Sequence, residues 1–286
     1  MMRVLTANIE EVFREAAARW TLIGYFVLST LFIVIFASAV NLDIVDGALA
    51  GAKLFGQDVQ VHSQDQIDIE MLVVGFESGL SALLYLVGIF LAIFATAHLV
   101  PRLQDKGTVD LYLSRPVGRV RILLYRYLAG LMLAAANVVY LIGTIWLIVV
   151  WKTRVLHPRF LLSGVIIMFV IAVLLAFAFL IGVITSSTAV SIMSTYAIFV
   201  FSAILAAHDQ IAAALSVNWL AGLIQGLYWI FPKTAELGQA VIAYVSAGRG
   251  PEELASALTV TPFATTAAFG IACLVLSSWL FHRKEF

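Results

Sequence analysis

The segment 101–119 combines charged side chains with residues that begin and end helices. Gly107 permits a sharp turn of the chain, and Thr108 can cap a helix by accepting a hydrogen bond from an otherwise unpaired backbone N–H group. Asp110 would then lie in the first helical turn, where its negative charge suits the positive end of the helix dipole. Pro116 ends the helix, because the residue before a proline is disfavoured in the helical conformation. The spacing therefore predicts a helix of about two turns that a partner protein can bind.

The basic residues of this segment have a second interpretation. Lys106, Arg115 and Arg119 could serve only to fix the orientation of the chain in a membrane and to contact anionic lipid. That role needs neither a short helix nor the punctuating residues Gly107 and Pro116. The sequence therefore favours protein docking over lipid contact alone.

Motifs of several enzyme classes are missing from the sequence. The phosphate-binding pattern G-x-x-x-x-G-K-[ST] is absent, because neither Lys152-Thr153 nor Lys233-Thr234 follows the required glycines. No histidine is followed by glutamate, so the zinc motif H-E-x-x-H is also absent. The single cysteine, Cys273, cannot build a multi-thiolate metal site. We expect a protein that is not an enzyme and that holds no metal or cofactor.

The composition predicts a membrane protein. Of 286 residues, 62% are hydrophobic and 12% charged, against about 25% charged in soluble domains, and the mean hydropathy is +1.02. Lys plus Arg and Asp plus Glu number 17 each, so the chain lacks the basic excess that nucleic-acid binding requires. We expect lipid around much of the molecule and no nucleic-acid partner.

Six uncharged apolar stretches approach the length of about 20 residues that a helix needs to cross a bilayer core about 30 Å thick. The run from Phe160 to Ala207 has 48 residues without a formal charge, which is too long for one crossing. It must cross twice, and the polar residues Thr185, Ser186, Ser187 and Thr188 are the natural turn. The predicted fold is all-α, a single polytopic membrane domain over residues 1–286. The predicted spans are 20–40, 78–100, 127–151, 160–184, 189–207 and 263–281.

Three further segments are not predicted to span. Residues 1–19 have apolar residues at helical spacing, which predicts an amphipathic helix in the membrane interface. Residues 41–77 form an acidic loop whose glycines disfavour a long helix. Residues 211–231 are uncharged, but Asn218 and Gln225 make them a poor lipid-facing span. We expect re-entrant or half-buried helices there, before the last span.

The basic residues predict the orientation. With six crossings, the side that holds both termini carries eleven of the 17 Lys and Arg residues, so both termini are expected in the cytoplasm. The connection with Lys152, Arg154 and Arg159 runs against this rule. The sequence explains it only by snorkelling of long basic side chains at the interface.

A few polar residues fall within the spans. Glu77 and His98 permit a proton-relay interpretation, but both lie close enough to a predicted interface that we expect them to be hydrated. Asn137, Ser191 and Ser202 are expected to form hydrogen bonds between helices or to line a dimer interface. None is predicted to bind substrate.

The run from Asp105 to Arg119, with the following Ile122–Leu128, resembles the cytoplasmic signature of ABC-2 type transporter permeases. In that family an acidic residue precedes Gly-Thr, an acidic-Leu-x-Leu-Ser stretch leads to a proline, and a basic residue heads the next span. The overall layout is also similar, most closely to the nitrous-oxide-reductase accessory permease group. The resemblance implies ATPase-coupling roles for Asp105, Lys106, Gly107, Thr108, Asp110, Leu111, Leu113, Ser114, Arg115, Pro116 and Arg119, and a second coupling turn at Thr185, Ser186, Ser187 and Thr188.

The same resemblance implies a function. The chain would be the transmembrane permease subunit of an ABC exporter in the cytoplasmic (inner) membrane. It would pair with a second copy of itself or a related permease and with separate ATPase subunits, which bind the ATP and Mg²⁺ that this chain does not hold. The alternative is a secondary transporter not powered by ATP, which normally shows mid-membrane ionisable residues and an inverted repeat.

Overall fold

The computed structural model describes residues 21–45, 48–54, 57–59, 69–104, 118–214, 218–247 and 258–284. Two predicted features lie outside these residues. They are the interfacial helix of residues 1–19 and the coupling residues from Asp105 to Pro116.

Long apolar helices dominate the described residues. Five of them are long and apolar enough to cross a membrane, and a sixth, with the apolar stretch Ile23–Ser38, is shorter. The fold is therefore an all-α polytopic membrane protein, as predicted. The six helices are α1 (Thr21–Ala39), α2 (Ile69–Thr96), α3 (Arg119–Thr153), α4 (Pro158–Thr185), α5 (Thr188–Leu205) and α9 (Val260–Arg283).

Two of these helices differ in extent from the predicted spans. Helix α2 begins at Ile69 rather than near residue 78, and after Thr96 the chain continues in two 3₁₀ turns, Ala97–Leu99 and Pro101–Gln104. Helix α3 has 35 residues, about 52 Å at 1.5 Å per residue, and so extends well beyond one bilayer core. Hydropathy marks only the apolar part of a helix, whereas backbone hydrogen bonds continue it beyond that part.

Helix α4 is the centre of the bundle. It packs against α2, α3, α5 and α9, and Val170, Ile171 and Leu174 along it are completely buried. Helix α9 approaches α4 closely at Gly270, where an added Cβ would lie 3.0 Å from Val173 Cγ2. Small residues permit such close contact between membrane helices, where burial in lipid supplies little driving force.

Polar side chains join neighbouring helices inside the bundle. Ser29 Oγ on α1 donates to Asn137 Oδ1 on α3 at 3.0 Å, and Ser191 Oγ on α5 donates to the Ala178 carbonyl on α4 at 2.5 Å. The prediction of interhelical hydrogen bonds at Asn137 and Ser191 is confirmed.

The segment before the last span contains three short helices, α6 (His208–Ala214), α7 (Asn218–Ile230) and α8 (Thr234–Ser246). Helices α7 and α8 have 13 residues each, about 20 Å, which is too short to cross. Within α8, Leu237, Val241 and Val245 are completely buried.

Helix α8 begins inside the bundle. The Tyr85 hydroxyl, about midway along α2, donates to the Thr234 carbonyl at 2.5 Å, and the Lys233 N–H donates to Thr266 Oγ1 on α9 at 3.0 Å. Helix α8 therefore starts within the bundle, after the turn at Pro232 and Lys233, and we call α7, this turn and α8 the re-entrant hairpin. The prediction of re-entrant or half-buried helices before the last span is confirmed for α8, and for residues 211–231 it stays a prediction.

Residues 40–45, 48–54 and 57–59 form a small antiparallel sheet where the sequence predicted only a loop. Its strands pair in the order β1 (Val40–Val45), β2 (Ala48–Leu54) and β3 (Gln57–Val59). Val40 lies opposite Leu54, and the register shifts between Asp43 and Ile44. The alternation of apolar and polar residues from Val40 to Ile44 has the period of two that favours a strand, and glycine content alone did not reveal it.

Candidate functional site

Helices α2, α4 and α9 end, and α3 and α5 begin, at the same end of the bundle, which we call the Lys284 end. The opposite end, where α4 begins beside His157, is called the His157 end. The Lys284 end carries the predicted α4–α5 turn and both flanks of the 105–117 segment. It is therefore where the predicted coupling residues can be tested against the geometry.

The α4–α5 turn lies where the sequence predicted it. Helix α4 ends at Thr185, and Ser186 adopts a left-handed conformation (φ 54°, ψ 21°) with its N–H bonded to the Gly182 carbonyl at 2.9 Å. The Ser187 hydroxyl then caps α5 by accepting the Val190 N–H. The turn exposes Thr185 and Ser186, while Thr188 is half-buried. The position of the turn is confirmed, and its contact with an ATPase remains a prediction.

The Lys284 ammonium joins three parts of the chain. It donates to Gln104 Oε1 at 2.5 Å, to the Val183 carbonyl at 2.8 Å and to Ser186 Oγ at 2.9 Å. The Gln104 amide in turn donates to the Gly182 carbonyl at 2.8 Å, and Ser186 Oγ donates to Gln104 Oε1 at 2.7 Å. We call these five residues the Lys284 cluster.

The chemistry of the Lys284 cluster suits a cation. An ammonium has three N–H donors, and the cluster supplies three oxygen acceptors. One of them, the Val183 carbonyl, lies in the last turn of α4, where the negative end of the helix dipole favours a positive charge. Partial burial lowers the pKa of Lys284, since removal from water disfavours the charged form. The cluster is therefore a specific polar contact rather than a solvated surface lysine.

Both flanks of the 105–117 segment contact Lys284. Gln104 precedes the segment and binds the Lys284 side chain, while Arg119 follows it and donates through Nη1 to the Lys284 carbonyl at 2.7 Å. Both flanks of the segment therefore contact Lys284, the residue that caps the C-terminus of α9. Of the predicted coupling residues from Asp105 to Arg119, Arg119 alone lies within the described part of the chain.

Sequence reasoning missed Gln104 and Lys284. In the sequence analysis Lys284 was only one of the basic residues used to predict the orientation in the membrane, and Gln104 had no assigned role. The two residues are 180 positions apart, so no local sequence motif could connect them. The one available signal was position, since Gln104 immediately precedes the segment already selected.

A second group of polar contacts lies at the His157 end. Lys152 Nζ donates to the Ala37 carbonyl at 3.0 Å, and Arg159 Nη1 donates to the Ala247 carbonyl. These carbonyls lie at the C-terminal ends of α1 and α8, where intrahelical partners are missing and the dipole favours a cation. Two of the three basic residues that run against the orientation rule therefore have a structural role on helix ends.

Glu77 and His98 are not hydrated, contrary to the sequence-based expectation. Glu77 is completely buried and His98 is 5% exposed. Glu77 Oε2 pairs with Nδ1 of His157, which follows α3 in the connection to α4. Because α2 begins well before the predicted span, Glu77 lies inside the bundle rather than at its surface.

No group of three His, Cys, Asp or Glu side chains that could hold a metal ion occurs among the described residues.

The chain matches the family model described as ABC-2 family transporter protein over residues 12–286. No curated protein matches the chain.

Proposed function

Because the chain belongs to the ABC-2 family of transporter proteins, we propose that it is the permease subunit of an ABC exporter driven by a separate ATPase. The family match extends over almost the whole sequence, which supports a single transmembrane domain over these residues. The sequence has no phosphate-binding loop. ATP and Mg²⁺ would therefore be bound by the partner.

The observation that carries this proposal is the contact of Lys284 with both flanks of the 105–117 segment. A partner that binds and moves the segment would displace Gln104 and Arg119, and through their hydrogen bonds it would also displace Lys284. Ser186 belongs to the same cluster, so the α4–α5 turn would move together with the segment. Displacement of one docked element can in this way become a rigid-body movement of several helices.

Orientation and assembly complete the proposal. The Lys284 end would face the cytoplasm, because that side carries most of the Lys and Arg residues. The protein would lie in the cytoplasmic (inner) membrane with both termini inside. It would assemble with a second copy of itself or a related permease and with two ATPase subunits.

The test is co-purification of an ATPase with variants of the 105–117 segment. We expect Gly107→Val and Pro116→Ala to insert normally into the membrane but to retain at most a fifth of the ATPase, because each change removes a residue that shapes the docking helix. Gly226→Val is the control, since its Cβ would meet nothing and it lies on α7, at the other end of the bundle.

Unchanged co-purification and unchanged ATP hydrolysis in both variants would overturn the proposal. Transport by the purified chain under an ion gradient without any ATPase would instead support the secondary transporter. The buried Glu77 carboxylate is the described feature that favours that alternative.

A further inference from the structure

A cavity of about 400 Å³ lies at the His157 end, between the re-entrant hairpin and the beginning of α9. This volume falls within the range of small-molecule pockets, about 300–1,000 Å³. Its wall combines polar groups with an aromatic ring. The residues that matter for recognition are Tyr228, Glu236, Gln239, Thr259, Thr261 and Phe263.

Glu236 is the only charged residue on the described lining of this cavity. Lys233 is close in sequence and the Glu236 charge acts on its ammonium, but Lys233 is buried, with 3% of the residue exposed, and it does not line this cavity. Its ammonium lies over the rings of Tyr228 and Trp229, 4.1 Å and 4.3 Å from their centroids. The cavity therefore presents a carboxylate and encloses no cation of the described residues.

Tyr228 contributes a hydroxyl to the site rather than a ring face. The His208 ring stacks on Tyr228 with 3.7 Å between centroids, and the Lys233 ammonium also covers the ring. Burial, and next the nearby Glu236 carboxylate, raise the pKa of Tyr228, so its hydroxyl stays protonated. The hydroxyl oxygen can still accept a further hydrogen bond.

The lining thus offers several oxygen acceptors around one negative charge. The lining residues whose side chains carry such oxygen atoms are Glu236, Tyr228, Thr259, Thr261 and Gln239. A group that matches them carries a positive charge and three N–H donors. We propose that this cavity binds a primary ammonium ligand, with the ammonium on Glu236 and its carbon body against Phe263. This inference does not depend on the ATPase proposal.

The first test titrates three small solutes into the purified full-length protein in detergent, by calorimetry. Ethanolamine has the charge and the three N–H donors, choline keeps the charge without the donors, and ethylene glycol has neither. We expect ethanolamine to bind at least about tenfold more tightly than the other two, because hydrogen bonds to charged groups are the strong ones. Equal affinity for all three would overturn the proposal.

The second test uses matched variants. Glu236→Gln keeps the shape of the side chain but removes its charge, and we expect at least about tenfold weaker ethanolamine binding. Asp209→Asn also removes a carboxylate charge, but Asp209 is 88% exposed and does not line the cavity. We therefore expect this variant to weaken ethanolamine binding by less than twofold. Thr261→Val, which removes one acceptor, should have an intermediate effect. An equal loss in Asp209→Asn and Glu236→Gln would refute a specific site.

The ammonium could belong to a soluble compound or to a lipid headgroup. Repeating the ethanolamine titration in nanodiscs of phosphatidylethanolamine and of phosphatidylglycerol separates the two sources. Weaker apparent ethanolamine binding in the phosphatidylethanolamine nanodiscs identifies the lipid headgroup as the occupant. The same affinity in both kinds of nanodisc supports a soluble amine.

Discussion

At the scale of single residues, the structure separates two kinds of polar group. Lys284 has an acceptor for each of its N–H donors, whereas Glu77 has one carboxylate oxygen paired with His157 and a second, Oε1, without a hydrogen-bond partner. An unsatisfied buried oxygen costs free energy. The first arrangement is suited to holding helices together and the second to changing state.

Replacing Lys284 with methionine should loosen the Lys284 end. The variant keeps the length of the side chain but removes three hydrogen bonds, including the one to the Val183 carbonyl, so we expect a loss of about 1–2 kcal/mol in unfolding free energy, discounted for partial solvent exposure. Thermal unfolding in detergent measures the change.

The matched control for this variant is Arg283→Met. Arg283 is exposed, and its guanidinium lies over the Trp279 ring at 4.1 Å from the centroid. We expect a smaller loss there, about 0.5 kcal/mol. If Arg283→Met destabilised the protein as much as Lys284→Met, the cluster would have no special role.

At the scale of elements, close helix contact depends on residues without a side chain. Gly270 on α9 lies against Val173 on α4, so an added Cβ would also come within 3.4 Å of the Val173 backbone. Valine is stiff at χ1, and its backbone is part of a central helix. The contact therefore cannot adjust by a simple rotamer change.

Gly270→Ala should be destabilising although alanine is the better helix former. We expect an overpacking cost of about 1–3 kcal/mol, against a gain of at most about 1 kcal/mol from helix propensity. Unfolding in detergent tests this, with Gly143→Ala on α3 as the control. A Cβ at Gly143 meets nothing within 4 Å, so that variant should be neutral or slightly more stable, and equal behaviour of the two variants would contradict the packing argument.

At the scale of the whole molecule, the two ends of the bundle have different constructions. At the Lys284 end, Lys284 contacts both flanks of the 105–117 segment and the α4–α5 turn. The His157 end holds the re-entrant hairpin and basic side chains bound to the ends of α1 and α8. A transporter that receives a stimulus at one end and opens at the other needs this kind of asymmetry.

The proposed orientation predicts opposite labelling of the two ends. After Cys273→Ala removes the native thiol, Ser186→Cys should react with a membrane-impermeant thiol reagent only when the cytoplasmic side is exposed. Trp219→Cys, at an exposed position of α7, should react from the other side. Labelling of both from the same side would contradict the proposed topology.

The sequence predicts the helices well because long apolar runs leave few alternatives. The 48-residue uncharged run had to turn, and the polar residues at its centre marked Ser186. Contacts between distant residues leave no comparable pattern, so the bond of Gln104 to Lys284 was not predicted. Glu77 was misplaced for a related reason, since hydropathy located the apolar part of α2 and not its first residue.

The re-entrant hairpin has a consequence for how the chain is made. Synthesis proceeds from the N-terminus, so α8 leaves the ribosome before α9. Yet the tip of the hairpin needs α9, because the Lys233 N–H has its acceptor in Thr266. A backbone donor without a partner is unfavourable in lipid, so we expect α7 and α8 to enter the bundle only after the last span has been inserted. The last step in forming the bundle is therefore the packing of the short helix α8 between the earlier helices and α9.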